Sequence, residues 1–443
     1  MFRGLSFAAV LRWLAMAANP EGYASLLRFL PGGAKAGAAF VEQSASAAAR
    51  PSMAASPAQM LATGRDLRLD LFRGLALWLI FLDHIPNNVV NYFTLRNYGF
   101  SDATEIFIFI SGYTAAFVYG RAMRERGFII SSARILRRAW QIYVAHIFLF
   151  TIFMAEIAYV AATFSNPLYA EEMNILGFLK QPDVTIFQAL ILKFKPVNMD
   201  VLPLYIVLLL LFPPMLRVLL WQPAYALMGA AVVYVLALHF DINFPAYPNG
   251  VWVFNPFAWQ LLFVFGAWCA VGGAQWLSGL LRSRIVFGLA IMYLLFALFI
   301  TLTWHFEWLG TFVPNWLGAM IYPIDKTNLD VLRFAHFLAL AAITVRFVSR
   351  DWRGLESPIL RPAILCGQHS LEIFCLGVFL AFAGQFIISQ WSGGVLVQTG
   401  ISIAGILVMI ATASLISWYK GMEGRSHQQR AKASPGNLAG GEA

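Results

Sequence analysis

The side chains with the clearest capacity for chemistry are four ionisable residues within one apolar stretch. RLDLFRGLALWLIFLDHIPNN, residues 68–88, contains Asp70, Arg73, Asp83 and His84. On a helix that advances about 100° per residue, Arg73 and His84 return to within about 20° of one face, and Asp70 lies within about 40° of it. Asp70 can pair with Arg73 at the i, i+3 spacing. This face therefore combines a cation with a side chain that accepts and returns protons near neutral pH.

The element that must position these residues is a membrane helix. The chain has 443 residues, 60% of them hydrophobic and 12% charged, and its mean hydropathy of +0.68 lies far from that of soluble domains. Apolar runs near 20 residues, which match a hydrocarbon core about 30 Å thick, begin near residues 71, 102, 139, 201, 223, 257, 285, 331, 369 and 394. Lipid requires each backbone polar group to be satisfied internally, so we predict an all-α bundle of about ten transmembrane helices.

Lys and Arg predict the orientation of this bundle. They concentrate in alternate loops and in the segment after residue 420, which places both termini in the cytoplasm. The net charge of +9 is therefore a topology signal and not a sign of nucleic-acid binding. We predict a multi-pass membrane protein with a transmembrane domain over 65–420, a disordered or surface-lying extension over 1–64 and a disordered cytoplasmic tail over 421–443.

His84 is predicted to lie deep in the membrane. A rise of 1.5 Å per residue puts it about 16 Å beyond Arg73, and ionisable groups at that depth face a bundle interior or a water-filled cavity. Asp83 points about 100° away from His84, so we expect it to bond a neighbouring helix. The alternative is a structural His84 bonded to a backbone carbonyl, with Arg73 as a positive-inside anchor.

Arginines at a cytoplasmic loop form a second candidate site. In SSARILRRAWQIY, Arg134 and Arg137 are three residues apart and face one way. Arginine forks bind phosphates in a bidentate manner, so this pair is a candidate for the phosphates of a nucleotide-bearing donor. Positive-inside anchoring explains the pair equally well.

The outer side holds a third set of candidates. Arg333 and His336 share a helix face where the basic bias predicts no cation, which suggests binding of an anionic group. Asp102 and Glu105 open the second helix, where a capping box explains them as well. Trp308 belongs to an aromatic-rich loop that fits either a membrane belt or a sugar-stacking surface.

Several stretches resemble the OpgC family of membrane proteins, which attach succinyl groups to osmoregulated periplasmic glucans. The resemblance covers about residues 65–420. It rests on the stretches RLDLFRGLALWLIFLDHIPNN, NYGFSDATEIFIFISGYTAAFVYG, MDVLPLYIVLLL, FNPFAWQLLFVFG, DKTNLDVLRFAHFLAL and GQHSLEIFCLGVFL. That family is similar to a larger superfamily of acyltransferase-3-like membrane proteins, which have an arginine-rich start to the first helix, a histidine within it and an R-x-x-R motif.

The resemblance implies a protein of the bacterial inner membrane that transfers an acyl group, succinyl from succinyl-CoA, to hydroxyls of a periplasmic glucan. His84 would be the catalytic base or the acyl carrier, with Asp83 and Arg73 beside it. The donor-binding candidates are Arg68, Arg134, Arg137 and Arg138. The candidates for the acceptor or the acyl carboxylate are Arg333, His336, Asp102, Glu105 and Trp308.

Several alternatives remain open at this point. About ten helices with intramembrane charges also suit a secondary transporter of a small anion, and the donor or the glycan of an acyltransferase could differ. A homodimer is possible. Cys269, Cys366 and Cys375 have no metal-like spacing, and we expect no metal and no bound cofactor, with acyl-CoA as a co-substrate.

Overall fold

The structure is a computed structural model that describes residues 66–163, 171, 173–390 and 393–433, with side chains described as far as residue 422. Within these residues the protein is all-helical, as predicted, and one isolated β-bridge joins Pro245 and Val251. The longer helices are α1 (Leu67–Asp83), α2 (Ala103–Thr163), α3 (Pro182–Leu190), α4 (Val201–Trp221), α5 (Pro223–His239), α6 (Pro256–Trp268), α7 (Arg284–Leu302), α8 (Val331–Phe347), α9 (Arg361–Gln368), α10 (Ser370–Gln390) and α11 (Val395–Ala433).

Short helical segments connect the long helices. They are Val89–Phe93, Leu95–Asn97, Leu176–Lys180, Cys269–Gly273, Ala274–Trp276, Ser278–Arg282, Glu307–Gly310, Asn315–Ile321 and Arg353–Glu356.

Nine of the ten predicted helix starts fall within a few residues of an observed one. The exception is the start near residue 139, which lies inside α2. This helix is 61 residues long and breaks at Gly127, whose φ of 81° is in the left-handed region that favours glycine. Two predicted membrane helices are therefore the two arms of α2, joined at Gly127.

Six helices of the described residues are long and apolar enough to cross a membrane. They span Ala103–Thr163, Val201–Trp221, Pro256–Trp276, Arg284–Leu302, Ser370–Gln390 and Val395–Met422. Because the two arms of α2 count there as one helix, and because α1, α5 and α8 have only 17 residues each, ten crossings and the orientation of the termini stay predictions.

Two glycine-mediated crossings hold the centre of the bundle together. A Cβ at Gly74 of α1 would overlap the carbonyl oxygen of Ala363, and one at Gly367 of α9 would overlap that of Asp70. In the same way, a Cβ at Gly112 would overlap the carbonyl of Phe263, which brings α2 against α6. Small residues allow such close backbone approach, which is the usual route to tight helix packing within a bilayer.

The tail over 421–443, predicted to be disordered, lies partly within the described residues. Helix α11 continues to Ala433, because the residues after 421 are mostly good helix formers such as Glu, Gln, Arg, Lys and Ala. The predicted extension over 1–64 lies outside the described residues.

Candidate active site

His84 occupies the end of the first helix. The apolar run of α1 ends at Asp83, and His84 caps it with φ −90° and ψ 0°, donating its backbone N–H to the carbonyl of Ile80 over 3.1 Å. The residue is half-buried. Its ring Nδ1 is enclosed and has no hydrogen-bond partner within the described part of the chain. This nitrogen is therefore available for proton transfer. In a purely structural histidine it would be hydrogen-bonded to a backbone carbonyl.

Asp83 bonds the segment that follows α1. Its Oδ1 accepts a hydrogen bond from the Thr94 hydroxyl at 2.5 Å, and Thr94 is fully buried. The expectation that Asp83 bonds a neighbouring helix was wrong. The chain turns back after His84, so that Thr94 of the connection between α1 and α2 reaches the carboxylate. This bond ties the position of His84 to the connection between α1 and α2.

A buried ion cluster lies beside this connection. Arg333 of α8 donates from Nε to Glu105 at 2.8 Å and from Nη2 to Asp102 at 3.1 Å. Lys326 donates to the same Asp102 oxygen at 2.6 Å. Two acids and two cations thus compensate one another, as buried charges require.

The acidic residues of this cluster also cap α2. Asp102 accepts from the Thr104 N–H at 2.8 Å, and Glu105 accepts from the Asp102 N–H at 2.9 Å, which is the reciprocal capping box that their spacing suggested. Burial opposes the charge of Asp102, but Lys326 and Arg333 outweigh it and hold its pKa well below the ordinary value.

The ion cluster and His84 are electrostatic neighbours. Lys326, Asp102 and Arg96 all lie close enough to His84 to act on its charge, and the same three act on Asp83. The structure therefore brings together residues that the sequence separates by more than two hundred positions.

His336 is held firmly within this region. It is buried, its Nδ1 accepts from the Ser101 N–H at 3.3 Å, and the Ser101 hydroxyl lies 2.7 Å from the same nitrogen. A Cβ at Gly99 would overlap its ring. His336 thus joins α8 to the segment before α2.

Arg73 and Arg68 lie toward the opposite end of α1. Arg73 donates to the Thr114 hydroxyl at 2.6 Å on the first arm of α2. Arg68 binds the two carboxylate oxygens of Asp66 at 3.0 and 2.8 Å and the carbonyl of Val348 at 3.2 Å. Arg73 is joined to the bundle, whereas Arg68 fixes the first turn of α1.

The two arginines predicted to bind the donor phosphates do not point into the bundle. Arg134 and Arg137 are exposed on the second arm of α2, while the half-buried Arg138 lies near Tyr205 of α4. Arg73 also acts on Tyr205, so Arg138 and Arg73 approach one region from two helices. Trp308 lies elsewhere: it is 62% exposed and packs edge-on against Phe312.

Two clefts in the described structure are separate from His84. One, of about 280 Å³, is apolar and lies between the second arm of α2 and α3, where Phe150 and Leu190 contribute to its wall. The other, of about 320 Å³, lies between α7 and the segment Asn315–Ile321. Neither contains the ionisable groups described above.

A scan against known protein families matches residues 65–421 to the OpgC protein family. The chain belongs to the OpgC family. Comparisons with curated proteins and with solved structures found no match. Membership in the OpgC family points to an acyltransferase-like membrane enzyme.

Two residues of the candidate site in this OpgC family member, Lys326 and Thr94, were not identified from the sequence. Lys326 was not singled out, although it is the only Lys or Arg in the sequence between residues 305 and 330. Thr94 gave no signal, because a threonine in a polar loop is common. Its role depends on the turn after α1, which no periodic pattern indicates.

Proposed function

We propose that this protein is a membrane O-acyltransferase that moves an acyl group, succinyl, from a cytoplasmic acyl-CoA to hydroxyls of a glucan on the periplasmic side. The observation that carries the proposal is the half-buried His84, whose enclosed Nδ1 has no partner among the described residues. Membership in the OpgC family supports the reaction class.

His84 acts as the base that makes a sugar hydroxyl nucleophilic. The imidazole takes the hydroxyl proton while the alcohol oxygen attacks the thioester carbonyl carbon. A C–O bond forms and the C–S bond breaks. The CoA thiolate leaves and takes the proton back from the imidazolium, so the enzyme returns to its starting state.

Asp83 and Thr94 hold the histidine in place. Their 2.5 Å bond fixes the chain on both sides of His84, and a side chain that is held in this way loses little entropy when the reaction begins. The compensated cluster of Asp102, Glu105, Lys326 and Arg333 keeps the neighbouring helix ends rigid.

The donor enters from the other end of α1. Arg73 and Arg138 approach the same tyrosine from α1 and α2, and the exposed Arg134 and Arg137 lie on the same arm of α2 as Arg138. These cations suit the phosphates of CoA, which arginine binds through paired N–H donors. In this orientation both termini are cytoplasmic.

The experiment that tests the function uses the full chain, purified in detergent. It is incubated with succinyl-CoA and a periplasmic glucan, and the molecular mass of the glucan is then measured by mass spectrometry. Succinyl esters are the expected product. A glucan of unchanged mass with every acyl-CoA tried would refute the proposal and leave the secondary transporter as the better assignment.

A covalent route is also open, in which His84 first accepts the acyl group. Incubation with succinyl-CoA in the absence of glucan separates the two routes. An acylated peptide that contains His84 indicates the covalent route, and an unmodified peptide from an enzyme that is active with glucan indicates direct attack.

A further inference from the structure

Lys195 is a buried cation outside the ion cluster. It lies in the irregular segment between α3 and α4, together with Phe194 and Met199, and it is only 8% exposed. Its Nζ lies 3.8 Å from the ring centre of Trp252 and makes one long hydrogen bond, 3.4 Å, to the carbonyl of Leu192. No carboxylate of the described residues lies within ion-pair distance of it.

Two further polar groups near Lys195 have no partner within the part of the chain that the structure describes. Trp252 is 4% exposed and its indole Nε1 is unbonded, and His146 of α2 is 1% exposed with an unbonded Nδ1. His146 is close enough to Lys195 for the two to interact electrostatically. Buried polar atoms without partners are rare in proteins and often mark the place of a ligand or water.

Lys195 and Trp252 both require a hydrogen-bond acceptor. An ammonium carries three donors and no acceptor, and an indole is only a donor. A buried ammonium requires a compensating anion, and the half-buried Asp200 acts on it from a distance without forming an ion pair. A carboxylate satisfies the ammonium and the indole together.

The two cations of the ion cluster do not offer this. Arg333 is bound to Glu105 and Asp102, and Lys326 is bound to Asp102. Asp200, which lies within the electrostatic range of Lys195, is also within that of Lys326, and Lys326 in turn acts on His84. Lys195 and Lys326 therefore share Asp200 as a neighbouring charge.

We propose that Lys195, with the indole N–H of Trp252, binds the free carboxylate of the acyl donor and so selects a dicarboxylic acyl group over a monocarboxylic one. The proposal rests on the proposed acyl transfer and names the residue that determines its donor specificity.

The test compares succinyl-CoA with butyryl-CoA, which has the same number of acyl carbons but no free carboxylate. Lys195→Met should reduce succinyl transfer about 10- to 100-fold, the effect of losing one charge-assisted hydrogen bond, and should leave butyryl transfer unchanged or faster. Lys193→Met is the matched control, because Lys193 is exposed two residues away in the same segment. Equal loss with both donors, or no loss, overturns the proposal.

Trp252→Phe provides a second variant that keeps an aromatic ring under the ammonium while removing the N–H. It should lower the preference for succinyl over butyryl, and an unchanged preference contradicts the role of the indole.

Neutral and succinylated glucans serve as acceptors in parallel. If Lys195→Met changes transfer only to the anionic glucan, the carboxylate belongs to the acceptor and the donor assignment is wrong.

Direct binding separates this proposal from the proposed function. The purified chain and both lysine variants are tested for retention of radiolabelled succinate by scintillation proximity. Loss of succinate binding in Lys195→Met but not in Lys193→Met supports the carboxylate site. If the protein also transfers no acyl group from any acyl-CoA, the transferase proposal is wrong while the carboxylate site stands. Equal binding by all three proteins overturns the site.

Discussion

Arg333 and Glu105 form an ion pair at 2.7 Å in which the arginine side chain is 10% exposed and the glutamate is fully buried. Asp102 shares the same guanidinium at 3.1 Å, and Lys326 completes the cluster. Arg333 is therefore a compensated charge that joins the end of α8 to the start of α2.

Removal of Arg333 should destabilise the protein strongly. Arg333→Met leaves Glu105 buried without its cation, which costs about 3–5 kcal/mol, and the thermal unfolding temperature in detergent should fall. Arg333→Met combined with Glu105→Gln removes both charges and should recover part of the loss. A double variant less stable than the sum of the single changes would contradict the pairing.

His84→Ala should lower acyl transfer by about 10²- to 10⁴-fold, the usual contribution of a positioned base, without loss of folded protein. His239→Ala is the control, because His239 is exposed at the end of α5. Initial rates with a fixed glucan concentration measure both. Retention of full activity in His84→Ala would exclude the base role.

Thr94→Val should reduce the turnover number about tenfold, since the Asp83 carboxylate loses a hydrogen bond in a buried place. The KM for acyl-CoA should stay the same, because Thr94 only positions the end of α1. Thr94→Ser keeps the hydroxyl and should restore the rate. A change in KM with constant turnover would indicate a different role.

Gly74→Ala should separate α1 from α9, because a Cβ there overlaps the carbonyl of Ala363. Overpacking of this kind costs about 1–3 kcal/mol. Gly229→Ala in α5 is the control: apart from the helix backbone around it, no atom lies within 4 Å of a Cβ added there, and alanine favours a helix over glycine by up to about 1 kcal/mol. Thermal unfolding should show opposite signs for the two variants.

Lys195 should make stability depend on pH in the alkaline range. Burial lowers its pKa from 10.5 to about 8, against the attraction of Asp200. Between these values the unfolded chain binds a proton that the folded one does not, so stability rises with pH from about 8 to 10.5. Relative to Lys195→Met, the unfolding temperature of the unmodified protein should increase over this range; a constant difference would contradict the lowered pKa.

The sequence predicted where the helices begin better than it predicted the connection between the two arms of α2. Nine starts were found because a run of apolar residues is a long and redundant signal. The stretch around Gly127 was interpreted as a loop because its glycine lies between two arginine-rich segments, but α2 is helical on both sides of that glycine.

The site was predicted one residue at a time. Depth and helical face singled out His84, and the basic bias singled out Arg333, yet the pairing of Arg333 with Glu105 depends on a contact across 228 positions. A lone histidine in an apolar stretch, such as His146, is usually a satisfied structural residue, but its Nδ1 has no partner among the described residues. The environment of a buried group comes from packing, which composition alone does not contain.

The termination of α1 directly before His84 places the imidazole at the negative pole of a helix. Peptide dipoles along α1 add up to a partial negative charge at its last carbonyls, and the histidine backbone already contacts that of Ile80. A proton arriving on this ring from an alcohol therefore meets a favourable field, worth about 0.3–1 kcal/mol near a helix end. One further turn of helix after Asp83 would move that pole beyond the ring and weaken the assistance.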